Sequence, residues 1–472
     1  GLFVKKYLYI IVFIVALGAF NACSDDDDFS TDKGMLLTLS TDKISFDTVF
    51  SQIGSATKQF KIYNRNSKSL RIESIELVNP VKSGFRMNID GEKGTKLTNV
   101  EILKKDSLFG FVEVTVNPLD DGNPLLIEDS IRFTVNGNVQ YLKLQAVGQD
   151  VFIWKNGVIA QDSVLTNAKP ILVYDSIVIK QGVKVTINEG VKFFMKDNSA
   201  IRVHGTLDAS GTVEKPIVFR GERFDNIEGD VPYDNVPGQW GGIYFYPESY
   251  GNRMENLHAR NATQGMTFYA SDPLQKKAVM INTIVQNTTE YGLLATNCNI
   301  DASNCLFVNS KGAAMTILGG EYSFLHCTIA NYFRWSSRIE EALILSNSSE
   351  AGQGVPLTKC DFINSIVYGS VSKELAIYDN GSSGFNYKFI NCLLKYTETT
   401  GDRFVNTIWN QDPLFANVKS NGTYTYSFYL QKESPAIDKA DRTYSLSLPS
   451  DLRGKSRLSD TAPDLGCYEW TE

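Results

Sequence analysis

The sequence predicts an all-β protein in which a β-sandwich is followed by a right-handed parallel β-helix. Residues 35–150 alternate apolar and polar side chains in short runs, with turns about every ten residues, as in sandwiches. Residues 151–440 contain a segment that recurs several times. The 27 Phe, 22 Tyr and 36 Gly residues favour strands joined by many turns.

Composition limits the classes of partner. With 472 residues and 43% hydrophobic residues, the chain can bury a large core. Its net charge is −7, and no basic run is longer than a pair. Since a nucleic-acid surface needs clustered Lys and Arg, we expect no nucleic-acid partner.

The N-terminus has the pattern of an export signal. Lys5 and Lys6 precede an apolar run, residues 7–20, of roughly 14 residues, which is short of the ~20 that span a bilayer. We therefore predict a signal peptide over residues 1–22. The segment Phe20–Cys23 resembles the lipobox of bacterial lipoproteins, with Phe where Leu is usual. The resemblance implies a lipid on Cys23 and a membrane as partner.

An acidic run follows at residues 25–28, and we interpret residues 23–34 as a solvated tether. The run also resembles the signal that sends some lipoproteins to the outer cell surface. That resemblance implies a location at the outer membrane or cell surface.

The sandwich region has short alternating strands such as Lys43–Asp47 and Phe111–Val116. Its order resembles the immunoglobulin-like modules that precede repeats in bacterial surface proteins. No Cys lies in residues 35–150, which excludes a disulfide-pinned antibody-type domain.

The recurring segment begins with Asn256–Asn261, and the starts of successive copies are 26, 22, 22, 38 and 27 residues apart. A leucine-rich repeat has a similar period but needs Leu at most framework positions, whereas here Ile, Val, Phe and Asn fill them. A β-helix coil of about 22 residues with insertions fits better, because coils stack at ~4.8 Å and align like side chains. We expect one corner to carry a structural ladder of asparagines, which tolerate left-handed backbone. The copies are residues 256–261, 282–287, 304–309, 326–331, 364–369 and a weaker 391–396. The predicted ladder consists of Asn261, Asn287, Asn309 and Asn331.

Two stretches resemble known β-helix proteins. Residues 182–221 and 237–245 resemble the first coils of the pectin-lyase-like superfamily, which implies the fold and leaves the activity open. The C-terminal residues 412–415, 434–438 and 464–469 resemble the ending of a family named for a choice-of-anchor Q segment, with Cys467 where a small residue is usual. We expect residues 441–472 to close the open end of the helix, where unpaired backbone would otherwise be exposed.

One aromatic run suggests a ligand-binding surface. In the segment 239–246, alternation points Ile243 and Phe245 inward and Tyr244 and Tyr246 outward. Trp240, Tyr244 and Tyr246 are therefore candidate ligand-binding residues that could stack on sugar rings. The alternative is a surface aromatic ladder covered by the loop 221–239.

No motif points to catalysis. The histidines (His204, His258 and His326) look like turn or surface residues, and no Ser-His-Asp or Cys-His pattern is apparent. Cys305, Cys327 and Cys392 share one repeat position, as small core residues would, and no zinc-ligand spacing occurs. Calcium is the one candidate cofactor, since four acidic residues before Trp240 could bind it. The alternative is that they belong to a solvated insertion. These residues are Asp225, Glu228, Asp230 and Asp234.

These observations favour a surface-anchored protein with a binding or structural role, directed at extended polysaccharide. Two alternatives stay open: a polysaccharide lyase or glycoside hydrolase acting in a β-helix groove, and an adhesin. The absence of a catalytic motif inclines the prediction away from an enzyme.

Overall fold

The computed structural model describes residues 28–419 and 422–472. The predicted signal peptide 1–22, the predicted lipid-attachment residue Cys23 and the acidic residues up to Asp27 lie outside the described residues. The described residues divide into two compact units: residues 28–119 with 124–149, and residues 120–123 with 150–419 and 422–472. No helix of the described part is long and apolar enough to cross a bilayer.

The first unit is a β-sandwich, as predicted. Its two five-stranded sheets have the orders β1-β3-β8-β5-β6 and β2-β10-β9-β4-β7. The pairings are antiparallel except that β10 runs parallel to β2. Inward-facing Ile, Leu, Val and Phe from both sheets form a common core. The resemblance to immunoglobulin-like modules remains a prediction. The elements are β1 (Thr38–Leu39), β2 (Lys43–Phe50), β3 (Lys58–Tyr63), β4 (Leu70–Leu77), α1 (Pro80–Ser83), β5 (Phe85–Ile89), β6 (Glu92–Gly94), β7 (Lys96–Ile102), β8 (Ser107–Val114), β9 (Leu125–Val135) and β10 (Asn138–Gln149).

The predicted tether is wrong for its described end. Asp28 forms an ion pair with Lys68, with the carboxylate oxygen and Nζ 2.6 Å apart. Ser30 N donates to Ser69 O at 2.9 Å, and Asn136 Nδ2 donates to Ser30 O at 2.9 Å. Residues 28–34 therefore lie against the sandwich, because unpaired groups along its strands and turns bind their backbone.

The second unit is a right-handed parallel β-helix, which confirms the predicted fold class. Its strands form three faces, and each strand pairs in parallel with its counterpart in the next coil. Face A comprises β11 (Phe152–Trp154), β14 (Ile171–Val173), β17 (Lys192–Met195), β20 (Ile217–Gly221), β23 (Leu257–Arg260), β26 (Ile284–Thr288), β28 (Leu306–Ser310), β30 (Thr328–Asn331), β33 (Ile366–Gly369), β36 (Leu393–Leu394) and β38 (Ile408–Trp409).

Faces B and C belong to one continuous sheet, because two long strands run through both. Those strands are β27 (Leu293–Ser303) and β29 (Met315–Leu325). The rest of face B is β12 (Gly157–Ile159), β15 (Ser176–Ile179), β18 (Ala200–Val203), β21 (Ile243–Phe245), β24 (Met266–Phe268), β31 (Leu343–Ser346) and β34 (Leu375–Tyr378). The rest of face C is β13 (Ser163–Leu165), β16 (Lys184–Ile187), β19 (Thr206–Ser210), β22 (Asn252–Glu255), β25 (Ala278–Ile281), β32 (Leu357–Ile363), β35 (Lys388–Ile390) and β37 (Phe404–Val405).

The core of the coils is a set of stacked like side chains. Phe324 and Phe362 stack at 4.6 Å between ring centroids, and Phe362 and Phe389 at 4.9 Å. The three repeat cysteines (Cys305, Cys327 and Cys392) are fully buried, which confirms their prediction as core residues. All six described cysteines are free thiols.

The asparagine corners differ from the prediction. Asn261, Asn287 and Asn309 have positive φ, whereas Asn331 does not and instead binds the backbone of Ser310. The direct amide-to-amide bonds lie at the other corner, where each copy begins: Asn304 Nδ2 donates to Asn282 Oδ1 at 3.0 Å, Asn391 Nδ2 to Asn364 Oδ1 at 3.4 Å, and Asn406 Nδ2 to Asn391 Oδ1 at 3.1 Å.

The coils end earlier than predicted, at Trp409. The C-terminal segment (residues 412–419 and 422–472) contains a hairpin, β39 (Phe415–Asn417) with β40 (Ser427–Leu430), and a short helix, α2 (Arg442–Ser445). Its apolar side chains pack on outward-facing residues of face A. The expected closure of the open end is therefore wrong, because this segment lies along the side of the coils. The packed residues are Leu306, Val308, Ala330, Ile366, Leu393, Phe415, Phe428, Leu430, Leu452, Leu465 and Tyr468.

Candidate binding groove on face B

The predicted alternation in β21 is confirmed, but Trp240 is not a ligand contact. Ile243 and Phe245 are fully buried, and Tyr244 is half-buried on the outer side. The Trp240 side chain is 1% exposed and donates from Nε1 to Arg260 O at 2.8 Å. Trp240 therefore belongs to the core of the coils, where its ring stacks with that of Phe219 at 6.3 Å between centroids.

Tyr244 and Tyr246 do not form a flat open platform. The ring of Tyr246 stacks on His204, with 3.9 Å between centroids, and meets Tyr269 on the next coil at 5.1 Å. Arg202 lies 5.1 Å from the Tyr244 ring and donates from Nη1 to Tyr246 Oη at 2.8 Å. Within the protein, Tyr246 thus contacts rings of two neighbouring coils, and Tyr244 contacts the Arg202 guanidinium. Burial raises the pKa of Tyr244 to about 12, so its hydroxyl stays protonated and donates to Gln264 Oε1 at 2.7 Å.

The loop 221–239 does not cover these tyrosines, because it packs on face A. Asp234 pairs with Arg260 at 2.6 Å and with Arg220 at 3.3 Å. Burial raises the pKa of Asp234, but the guanidinium groups of Arg260 and Arg220 together lower it by more. The pKa of this carboxyl group therefore lies below its ordinary value. Asp225 pairs with Arg223. The structure therefore gives these two candidate calcium ligands arginine partners, and within its described residues no group of three or more His, Cys, Asp or Glu is arranged so that it could hold a metal ion.

The tyrosine stack ends at an open groove. Tyr269 is 38% exposed, and the positions that follow it on successive coils of face B are Thr296, Leu318, Ser346 and Tyr378. Three small or short side chains thus separate two tyrosines that are four coils, or about 19 Å, apart. The volume of the groove is about 680 Å³.

The floor of this groove is apolar and its walls are acidic. Leu294, Leu318 and Ile344 are 6–8% exposed and form the floor. Glu290 and three further glutamates stand around it, and the described lining residues include no Lys, Arg or His. The lining residues are Thr289, Glu290, Tyr291, Leu294, Gly312, Thr316, Leu318, Ile339, Glu340, Glu341, Ile344, Ser346, Ser348, Ser349, Glu350 and Tyr378.

Two insertions in a single coil build the walls. Residues 332–342 connect β30 to β31, and residues 347–356 connect β31 to β32. Glu340 and Glu341 come from the first insertion and Glu350 from the second. The 38-residue step between copies was the sequence signal for both insertions, but spacing alone could not tell which face they flank.

Hydrogen bonds connect the groove to the tyrosine stack. Glu290 accepts from Gln264 Nε2 at 2.5 Å, and the same Gln264 accepts from Tyr244. Tyr291, at the edge of the groove, shares a 2.7 Å hydrogen bond with Thr267. Sequence reasoning found Tyr244 but missed these neighbours, since they lie on different coils 20 or more residues away.

A second groove, of about 630 Å³, lies between face C and α2. Its charged groups include Lys276 and Asp301, whose Nζ and carboxylate oxygen are 2.8 Å apart. Lys359 and Glu321 lie further along it, and Tyr444 forms part of the rim. Much of the charge here is already paired.

His326 was predicted to be a turn or surface residue; it lies at a turn, with a φ of 50°, but it is not at the surface. It is fully buried beneath the C-terminal segment, with Nδ1 3.1 Å from Gly466 O and Nε2 2.7 Å from Ser445 Oγ. Burial holds the pKa of His326 well below its usual range, so the ring is neutral. Because Ser445 is also fully buried, this contact holds the segment in place and offers no access to a substrate.

Comparison with known proteins adds little beyond this geometry. No protein-family profile matches the chain. Protein bark beetle from Drosophila melanogaster is 34% identical over 119 residues, which are 23% of this chain. The chain spans only 4% of the length of that curated relative.

Several solved structures share similarity with the chain at low identity. Pectate lyase Pel9A is 14% identical, with 68% of this chain and 88% of that chain covered and a TM-score of 0.26. The A-module of the mannuronan C-5 epimerase AlgE6 from Azotobacter vinelandii is 11% identical, with 56% and 84% covered and a TM-score of 0.26. The Agl-KA catalytic domain is 12% identical, with 76% and 80% covered and a TM-score of 0.27. At such scores the fold assignment depends on the strand pairing described above.

Proposed function

We propose that this chain is a lipoprotein, anchored through Cys23 at the outer membrane or cell surface, that binds an extended polysaccharide in the face B groove. The observation that carries the proposal is the groove itself, with its apolar floor, its tyrosines and its carboxylate walls. Sugar rings offer apolar C–H faces that pack on aliphatic and aromatic side chains. Their hydroxyls donate to carboxylates, which are pure acceptors. Concave sites with a few convergent polar groups are the usual form of a binding pocket.

The charge of the groove narrows the class of polysaccharide. Four glutamates line it, and the described lining residues contribute no cation. A polyuronate or a sulfated chain would meet like charges at short range, which costs binding energy. Neutral chains, or chains with amino groups, fit this lining better.

The test is a polysaccharide array with a soluble form that starts at Ser24. This start keeps Asp28 and Ser30, which bind the sandwich. We expect binding to one or more neutral or amino-bearing chains and weaker binding to polygalacturonate. Glu350→Gln should change affinity, while Tyr444→Ala, on the face C groove, is the matched control. Binding that survives in Tyr378→Ala, Glu350→Gln and Leu318→Ala together would contradict the proposal.

A glycoside hydrolase is the second candidate, favoured by the presence of several carboxylates in one groove. Such enzymes use two carboxyl groups on either side of the bond that is cleaved. Glu290 and Glu340 are the residues to change first. Release of reducing ends by the wild-type chain, lost in Glu340→Gln, would establish catalysis in place of binding. A lyase has less support, since the described lining residues include no Lys or Arg base.

A further inference from the structure

The groove wall 332–342 is connected to the coils by a buried ion pair. The side chains of Arg338 and Glu374 are 4% and 0% exposed. Arg338 Nη2 donates to Glu374 Oε1 at 2.6 Å, and Nη1 donates to Oε2 at 2.7 Å. This two-pronged geometry is the most directional that a guanidinium and a carboxylate can form.

The pair also fixes the backbone on both sides of the wall. Arg338 Nη1 donates to Asn331 O at 2.9 Å, at the end of β30. Arg338 Nη2 donates to Glu340 O at 3.1 Å, next to the groove glutamates. Ala342 N donates to Glu374 Oε1 at 3.0 Å, at the start of β31. One ion pair therefore sets where the wall leaves the coil, where Glu340 stands and where the wall returns.

The repeat departs from its own pattern to make room for this pair. The four copies before it end in Asn, but the copy 364–369 ends in Gly369. A Cβ at position 369 would lie 1.9 Å from Glu374 Oε2 and 2.4 Å from Asn331 O. No side chain other than hydrogen fits there, so the glycine and the ion pair occur together for a steric reason.

Net stability is a weak explanation for such a pair. Removing two charges from water is costly, and apolar residues of similar volume often serve a core as well or better. A bidentate pair does supply a defined geometry, which a loop of a binding site needs. At the outer end of the same wall, Trp335 stacks on Tyr424 at 3.8 Å between ring centroids, which adds a second attachment.

We propose that Arg338 and Glu374 are positioning residues that hold the wall 332–342 in its binding shape before any glycan arrives. The part of this inference that concerns glycan rests on the proposed function, whereas the ordering of the wall does not. If loss of the pair left the wall in place only a tenth of the time, apparent affinity would fall about tenfold.

The experiment compares two double variants of the full-length chain carrying Cys23→Ser. The first is Arg338→Met with Glu374→Gln. The matched control is Arg457→Met with Glu469→Gln, which removes a second buried Arg–Glu pair among the described residues of this unit. Its side chains are 0% and 6% exposed and lie in the C-terminal segment. Amide hydrogen exchange is measured without glycan, and affinity is measured for two neutral hexasaccharides, cellohexaose and laminarihexaose.

We expect faster exchange in residues 332–342 of the first variant only, together with about tenfold weaker binding of whichever hexasaccharide the wild type binds. Arg338→Lys, which keeps the charge and loses the fork, should give an intermediate result. Unchanged exchange in 332–342, or an equal change in the control, overturns the inference. If the wild type binds neither hexasaccharide, the neutral-glycan function fails for these chains, and hydrogen exchange alone decides the role of the pair.

Discussion

Faces A and B of the β-helix are built from the same repeats, but their outward-facing apolar residues have different surroundings. On face A, outward-facing Leu306, Ile366 and Leu393 are sealed beneath the C-terminal segment. On face B, outward-facing Leu294, Leu318 and Ile344 have walls on two sides and remain the floor of a groove. The apolar outer surface of a coil thus becomes core or the floor of an open groove according to which segment of the chain packs beside it.

Buried charged groups fix the backbone on both faces, and face B has one that is held by hydrogen bonds alone in addition to the Arg338–Glu374 pair. Beneath the cover of face A, Arg457 pairs with Glu469 at 2.9 Å. At the end of face B, the fully buried Lys277 donates to Tyr246 O at 2.7 Å, Ser249 O at 2.9 Å and Ser271 Oγ at 2.6 Å. The Arg457–Glu469 pair stabilises the interface beneath the C-terminal segment. Lys277 instead fixes the turn that follows β21, through its bonds to the backbone of Tyr246 and Ser249.

Truncation after Ala440 should have the largest effect. It would expose the covered residues of face A and remove the partners of Asn304 and His326. We expect a stability loss of at least ~5 kcal/mol and aggregation, because buried apolar area and buried hydrogen bonds are lost together. Thermal melting and light scattering measure this. The control is removal of exposed Thr471 and Glu472 alone, which should change neither.

A pair of leucine variants sharpens the comparison. Leu306→Ala, in the sealed interface, should cost ~2–4 kcal/mol of unfolding free energy, since a cavity would remain. Leu318→Ala, on the groove floor, should cost only ~1–2 kcal/mol, because solvent can enter. It should also weaken glycan binding, which Leu306→Ala should not. Equal costs in denaturant unfolding would mean that the floor of face B is as tightly packed as face A.

Tyrosines on face B should separate stability from binding. Tyr246→Ala breaks the stack with His204 and Tyr269 and should cost ~1–2 kcal/mol of stability. Tyr378, which is 57% exposed, has little to lose in stability. Tyr378→Ala should weaken glycan binding about threefold to tenfold with an unchanged melting temperature. A lower melting temperature without a change in affinity would assign Tyr378 a structural role.

The smallest effect concerns pH. Burial lowers the pKa of Lys277 from 10.5 to about 8. Between these values the unfolded chain holds more protons on Lys277 than the folded chain, so this group makes the unfolding free energy rise with pH from about 8 to 10.5 and adds no pH dependence below. Burial raises the pKa of five thiols from 9.0, and these groups lower the unfolding free energy over much of the same window, so the contribution of Lys277 is measured as the difference between the wild type and Lys277→Met. That difference in unfolding free energy should grow from about pH 8 to 10.5, and Lys276→Met should follow the wild type. A difference that stays constant across this window would disprove the assignment.

The sequence alone determined the repeats, the strand alternation and the residues that face inward. Period-two alternation fixed the outward direction of Tyr244, and the shared repeat position fixed the burial of Cys305 and Cys327. These features are local or periodic, and stacking of equivalent positions is dictated by the geometry of parallel strands.

Contacts between distant coils decided the rest. Trp240 looked like part of the aromatic surface, yet it is core, and His326 looked exposed until the C-terminal segment covered it. The groove combines residues from 289 to 378, and its wall depends on an ion pair between Arg338 and Glu374. Such sites arise from where insertions fold back against the coils, and that choice depends on the packing and electrostatics of the whole structure rather than on the period of the repeat.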